Sequence, residues 1–299
     1  MPTMRLRHLL PVPLIVLLGA CTATPGARPP SSASVSAAAT PSVAPNDDLN
    51  ALLWAQDSLE HDLVYLETYR DAQAHLLEAL RDPHWDALPP ADRSSSPIGL
   101  QPAVILDVDE TVLDNSPYQV RLLRTGGEYN EVSWAAWCRE ERARALPGAV
   151  AFTRFAAEHG IAVIYLSNRD KDLDQVTLDN LRKAGLPVAG PDALLGLGTV
   201  VPGCEQSGTE KNCRRQLVGR HYRVLMQLGD QIGDFVTLYA SNPAQREHAF
   251  APYLPWVGTR WFVFPNPMYG AWESAPFAGD YGRSREQRRQ AKIDALRED

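Results

Sequence analysis

Four short apolar runs stand out against an otherwise mixed pattern: Ala103 to Leu106, Ile161 to Leu166, Val224 to Leu228 and Trp261 to Phe264. Their length and β-branched content predict strands buried on both faces. Amphipathic stretches lie between them. Ala149 to His159 has helical spacing and is closed by Gly160, and Asp172 to Ala184 is closed by Gly185; a glycine just past the last turn is a common helix stop. Upstream, Asn50 to Arg81 carries Leu52, Leu59, Leu63, Leu66, Leu76, Leu77 and Leu80 among charges, with neither Gly nor Pro. That spacing predicts one long helix or a pair. Pro83 to Pro97 then breaks the chain. Strand and helix in alternation imply right-handed βαβ units, a parallel sheet and an α/β fold. The charged tail from Arg283 reads as a solvated surface helix.

The first run ends in chemistry. Asp107-Val108-Asp109-Glu110-Thr111-Val112-Leu113-Asp114-Asn115 places four acids directly after the buried strand. Carboxylates do not belong inside such a strand, because an unpaired buried charge is very expensive. They do belong at its carboxyl end, where open α/β sheets bind ligands. Two carboxylates side by side there can hold a hard divalent cation such as Mg²⁺.

Ile105 to Tyr118 is similar to the first signature of the class C acid phosphatases, the bacterial lipoprotein branch of the haloacid dehalogenase (HAD) superfamily, with Val108 as a conservative departure. Leu225-Met-Gln-Leu-Gly-Asp230-Gln-Ile-Gly-Asp234-Phe235 resembles the second, departing at Leu225, Gln231 and Ile232. Trp54, Gln56, Ser58, Glu60 and Tyr65 resemble the N-terminal helix of that family, and Phe264 to Glu273 resembles its C-terminal segment. The resemblance runs from about Leu52 through that segment. It implies a Rossmann-like parallel sheet with helices on both faces. A small, mostly helical cap would come from the N-terminal helix and the 115–146 stretch.

The same resemblance implies Mg²⁺-dependent hydrolysis of small phosphomonoesters, including 5′-nucleotides, at mildly acidic pH. Asp107 corresponds to the nucleophile and Asp109 to the general acid that later activates water. Ser167, one residue past the second strand, and Lys211 correspond to the groups that bind and neutralise the phosphoryl oxygens. Mg²⁺ would be held by Asp107, Asp109 through its main-chain carbonyl, and Asp230, with Asp234 orienting waters or Lys211. Trp134 and Tyr269 could sandwich an aromatic leaving group or, alternatively, simply pack the cap, and Asn115 could reach the phosphate side. A tethered binding or storage protein on this fold, or another HAD phosphoryl-transfer enzyme, stays open as an alternative.

The N-terminus adds a location. Arg5 and Arg7, the run Leu9 to Leu18, and Leu18-Gly19-Ala20-Cys21 form a charged, an apolar and a small-residue region, too short to span a bilayer permanently. Cys21 in that setting resembles a lipobox, which implies cleavage after residue 20, acyl chains on the Cys21 sulfur and an outer-membrane or other envelope location. The alternative is an ordinary signal peptide with an incidental cysteine. Residues 21–46 are almost wholly Ala, Ser, Pro and Thr, a composition that cannot offset its ordering entropy, so they read as a tether to the 47–299 domain. Losing Arg5 and Arg7 with the leader takes the formal charge from −7 to −9. An acidic chain with no basic face argues against a nucleic-acid polymer as partner. Cys204 and Cys213 suit a disulfide outside the cytoplasm, and Cys138 reads as a packed thiol. A homodimer is kept open.

Overall fold

The computed structural model describes residues 46–238 and 242–298, so the leader, Cys21 and nearly all of the tether lie outside the described residues. The N-terminal helical stretch is a pair, α1 (Leu49–Asp57) and α2 (Leu59–Arg81). Ser58 separates them. Its backbone is extended (φ −86°, ψ 133°), and its Oγ accepts the His61 N–H at 3.1 Å as the cap of α2, the arrangement that serine favours at a helix start.

The chain then forms β1 (Gln101–Leu106), a two-residue β2 (Leu113–Asp114), α3 (Ser116–Thr125), α4 (Glu131–Glu140) and β3 (Arg144–Ala145). It continues through α5 (Ala149–Glu158), β4 (Ala162–Asp170), α6 (Asp174–Lys183), β5 (Leu194–Leu197), α7 (Asn212–His221) and β6 (Tyr222–Gly229). After α8 (Pro243–Phe250) come β7 (Trp261–Val263), α9 (Ala271–Ser274) and α10 (Arg285–Asp294). The main sheet has the order β5-β4-β1-β6-β7, every neighbouring pair parallel. The strand β5 was not expected. It is short, contains Gly196 and sits at the sheet edge.

Both faces of the sheet are covered. Val104 and Leu106 of β1 join one core with Tyr65, Leu76 and Phe152, whereas Ala103 and Ile105 join another with Val218, Phe235 and Trp261. That split follows the two-residue period of a strand. The sheet assignment therefore stands, but the expected role of the N-terminal helix changes. Tyr65, Tyr69, Ala72, Leu76 and Ala79 form the buried stripe of α2, which packs on α5, β6 and β7. It is a layer of the sandwich. The leucines that seemed to mark its apolar face, Leu59 and Leu63, are 66% and 52% exposed. The cap is left to α3, α4 and the β2–β3 ribbon, with α1 against α3.

Cys204 and Cys213 form a disulfide. Cys138 is buried, and burial pushes its thiol up to about 12. Behind the sheet, the fully buried Arg215 of α7 pairs with Asp92 at 2.6 Å and donates to the carbonyls of Gly233 (3.0 Å) and Asp234 (3.1 Å). Removing the carboxylate leaves a buried guanidinium uncompensated. Asp92→Ala should therefore destabilise the fold by about 3–5 kcal/mol, read as a lower denaturant midpoint; a change within experimental error would show that water or the backbone replaces the pair.

Candidate active site

Three neighbouring strands deliver the site. Asp107 follows β1, Ser167 and Arg169 are among the last residues of β4, and Asp230 follows β6. These are carboxyl ends of the sheet centre, β4-β1-β6. Asp107 is still tied to the sheet, its N–H donating to Leu228 O at 2.9 Å. The chain then turns sharply. Glu110 has φ +56°, a conformation uncommon outside glycine, and two tyrosines of α2 secure it. Tyr65 Oη donates to Glu110 O (2.6 Å) and Tyr69 Oη to Thr111 O (2.7 Å). Inside the turn, Glu110 Oε1 accepts the Asn115 N–H at 2.7 Å.

Lys211, at the start of α7, reaches back across the site. Its ammonium donates to Asp107 Oδ1, to Asp234 Oδ1 at 2.7 Å and to Leu166 O at 2.9 Å. Asp234 Oδ2 accepts the Gln231 N–H (2.9 Å), and Asp230 Oδ2 accepts from Gln231 Nε2 (2.7 Å) and Asn266 Nδ2 (2.8 Å). Carboxylate oxygens of Asp107, Asp230 and Asp234 lie within 4.8 Å of one another. A side chain at Gly229 would overlap Asp234, so glycine there leaves room for the Asp234 carboxylate.

The electrostatics are unbalanced. Three carboxylates share one ammonium in a dry setting. Burial pushes Asp107 well above the usual carboxylate range; Lys211 opposes that shift, and the neighbouring acids add to it. Burial and then Asp234 push Asp230 up to about 7, against the hydrogen bonds from Asn266 and Gln231. Burial also works against a charged Lys211, but Asp107 and Asp234 outweigh it and raise its pKa. Surplus negative charge, all-oxygen donors and mutual proximity fit a hard divalent cation.

Asp109 stands on the other side of the turn. The Arg169 guanidinium holds it, Nε at 3.0 Å and Nη2 at 2.7 Å from Oδ1. Asn115 Nδ2 donates to the same oxygen at 2.8 Å, and Ser167 Oγ lies 3.5 Å from Oδ2. Arg169 is buried, and the Trp134 ring lies 5.5 Å from its guanidinium.

Residues 47–272 match the family profile described as HAD superfamily, subfamily IIIB (Acid phosphatase). The chain belongs to the subfamily IIIB acid phosphatases of the HAD superfamily. The solved class C acid phosphatase of Bacillus anthracis superposes with a TM-score of 0.72 at 30% identity, covering 84% of this chain and 97% of that one. Among curated proteins, the stem 31 kDa glycoprotein of Glycine max is 27% identical over 165 residues, and acid phosphatase 1 of Solanum lycopersicum is 28% identical over 166. The matched stretch is 55% of this chain and spans 58% and 57% of those proteins, a little over half their length.

In this subfamily IIIB chain, the structure brings Asp107, Asp109, Ser167, Lys211, Asp230 and Asp234 together. The other three expected residues lie around this cluster. Asn115 is fully buried beneath Asp109, with its Oδ1 accepting from Trp137 Nε1 (2.8 Å) and Arg169 Nη2 (3.2 Å). Trp134 is only 8% exposed, its ring against Tyr118 and Tyr129. Tyr269 is half-buried beside Gln231, its carbonyl 3.4 Å from Gln231 Nε2. Sequence reasoning missed Arg169, Asn266 and the paired tyrosines of α2. The signal for Arg169 was its spacing from Ser167: two residues apart on one strand, they share a face. Asn115→Ala would strand the buried Trp137 N–H, so a loss of about 1–3 kcal/mol in unfolding free energy is expected. Urea titration of parent and variant checks it, and equal midpoints would mean that Trp137 finds another acceptor.

Proposed function

We propose that this protein hydrolyses small phosphomonoesters, with Asp107 as the nucleophile. The observation that carries this reading is the buried cluster in which Lys211 bonds both Asp107 and Asp234, with Asp230 alongside, at the carboxyl ends of adjacent parallel strands. Asp107 attacks phosphorus in line and the ester P–O bond breaks, while Asp109 supplies the proton to the leaving oxygen. Asp109 then takes a proton from water, which attacks the aspartyl-phosphate and frees Asp107 and inorganic phosphate. Lys211 and Ser167 bind phosphoryl oxygens. Arg169 and Asn115 keep Asp109 aimed through both steps. Asp107, Asp230 and the main-chain carbonyl of Asp109 would hold Mg²⁺, which screens the nucleophile from the anionic ester. Asp234 would orient Lys211 or a water beside it.

Nucleotides suit the site if Tyr269 or the Trp134 cluster offers a ring to a base, since stacking tolerates any base. A storage protein on the same fold would not need this cluster.

The test is turnover of a panel including a nucleoside monophosphate and glycerol phosphate, with Mg²⁺ and with EDTA. EDTA should abolish turnover and Mg²⁺ restore it. Asp107→Asn should lower kcat by about a thousandfold or more with parental circular dichroism. A folded variant retaining more than about a tenth of the activity would sink the aspartyl-phosphate route.

The envelope reading is also ours. Among the described residues no helix is long and apolar enough to cross a membrane, and Cys21 follows Leu18-Gly19-Ala20. Two or more acyl chains on Cys21 would anchor the domain where one would not. In a labelled-fatty-acid experiment, parent should carry label and Cys21→Ser should not. An unlabelled, wholly soluble parent would leave an ordinary signal peptide.

A further inference from the structure

Two consecutive arginines of α7, Arg214 and Arg215, are both fully buried. Arg215 has the Asp92 carboxylate to balance it. Arg214 does not: among the described residues no carboxylate pairs with it, and its acceptors are neutral oxygens. Nη1 donates to Ser167 O, and Nη2 donates to Asn168 Oδ1 (2.6 Å), Thr209 O (3.3 Å) and Glu210 O (3.3 Å).

A guanidinium is a costly choice at this position. A buried cation without a paired counter-charge resists leaving water, and burial accordingly pulls the Arg214 pKa down to about 10, against the more distant Asp107. The residue also stands in the first turn of α7, where the helix dipole favours the opposite sign. Its acceptors give the reason for it. They belong to two separate segments, the end of β4 at Ser167 and Asn168, and the turn at 209 and 210 that leads directly into Lys211. One planar fork of donors spans both. Lys211 closes the connection from its own side, since its ammonium bonds Leu166 O at 2.9 Å. The hydroxyl of Ser167 and the ammonium of Lys211 are thus held at a set spacing by main-chain contacts from one buried side chain.

We propose that Arg214 is a positioning residue that clamps Ser167 to the segment carrying Lys211 and so sets the fit of the phosphoryl group. The proposal rests on the phosphatase reading above, in which those two residues bind phosphoryl oxygens. Arg214 is closed off from solvent and acts through them. The clamp serves the phosphoryl side of the site, so its effect is the same for every leaving group. Lysine at 214 keeps the charge, but a single ammonium lacks the fork that reaches both segments.

The experiment uses the purified protein with added Mg²⁺ and its Arg214→Lys and Arg214→Gln variants. It measures the Kd for inorganic phosphate by calorimetry, kcat and KM for phenyl phosphate and glycerol phosphate, and the urea midpoint. Arg214→Lys should weaken phosphate about tenfold and raise KM for both esters by the same factor, so that their ratio of kcat/KM stays parental. Arg214→Gln, which loses the charge as well, should weaken phosphate at least as much. If that variant does not fold, Arg214→Lys carries the test, because it keeps charge and approximate length. A folded Arg214→Lys with parental phosphate Kd and parental KM, whatever its urea midpoint, would make the arginine a packing residue and overturn the clamp. Unequal losses on the two esters would overturn it too, since they would put the effect on the leaving-group side. A parent that binds phosphate but turns over neither ester would sink the phosphatase reading alone, and the phosphate Kd of the variants would still decide the clamp. A parent that does neither would overturn both.

Discussion

Lys211 held between the buried carboxylates of Asp107 and Asp234, with Asp230 beside them, is the constraint around which the rest of the molecule is arranged. An ammonium taken out of water must be paired, and here the pairing is with Asp107 and Asp234, from different loops. Ionised together, their carboxyl groups and that of Asp230 would carry more negative charge than one lysine balances, and burial with the neighbouring acids raises the pKa of Asp107 and Asp230 accordingly. The surplus makes the cluster poor as a structural ion pair and well suited to a divalent cation. Much of the surrounding fold serves to keep that crowding in place. The Tyr65 and Tyr69 hydroxyls hold the turn after Asp107, Gly229 leaves room for Asp234, and Arg215 secures the carbonyls at 233 and 234. The Cys204–Cys213 disulfide ties the glycine-rich loop before Lys211 to the first turn of α7.

Asp109 is governed by a second, separate network. Arg169, Asn115 and Trp137 form a chain of fixed donors and acceptors that ends on one carboxylate oxygen. A planar guanidinium orients a carboxylate in a way that a lysine cannot. The two acids of Asp-x-Asp thus live in different surroundings, one among carboxylates and an ammonium, the other under a guanidinium. Such a split is how neighbouring carboxylates come to play different parts. The cap contributes Trp134 and Trp137 from one helix, α4, and so is mechanically joined to Asp109 through Arg169 and Asn115.

The sequence by itself determined four of the five strands of the main sheet and where their polar ends lie. Apolar runs ending in Asp107, Ser167 and Asp230 show where strands stop and polar groups begin, because a doubly covered strand excludes charge and its carboxyl end does not. The same local logic marked the helices after Gly148 and around Asp172. It missed β5, whose four residues include a glycine and carry too little periodic signal.

Tertiary structure alone decided what each helix face meets and which distant groups share a charge. Leu59 and Leu63 of α2 imitate an apolar stripe but are exposed, and its buried face is Tyr65, Tyr69, Ala72, Leu76 and Ala79, since a sheet and α5 lie on that side. Asn115 sits in the signature segment but faces Trp137 and Arg169, partners 22 and 54 residues away. Spacing puts Arg169 on the same strand face as Ser167, but nothing local says that a guanidinium can be buried there. Its burial is tolerable only because Asp109, 60 residues earlier, is there to receive it. Periodicity reports which side of an element is apolar. Pairing of buried charge is a property of contacts between elements, so it can be read only once the chain is folded.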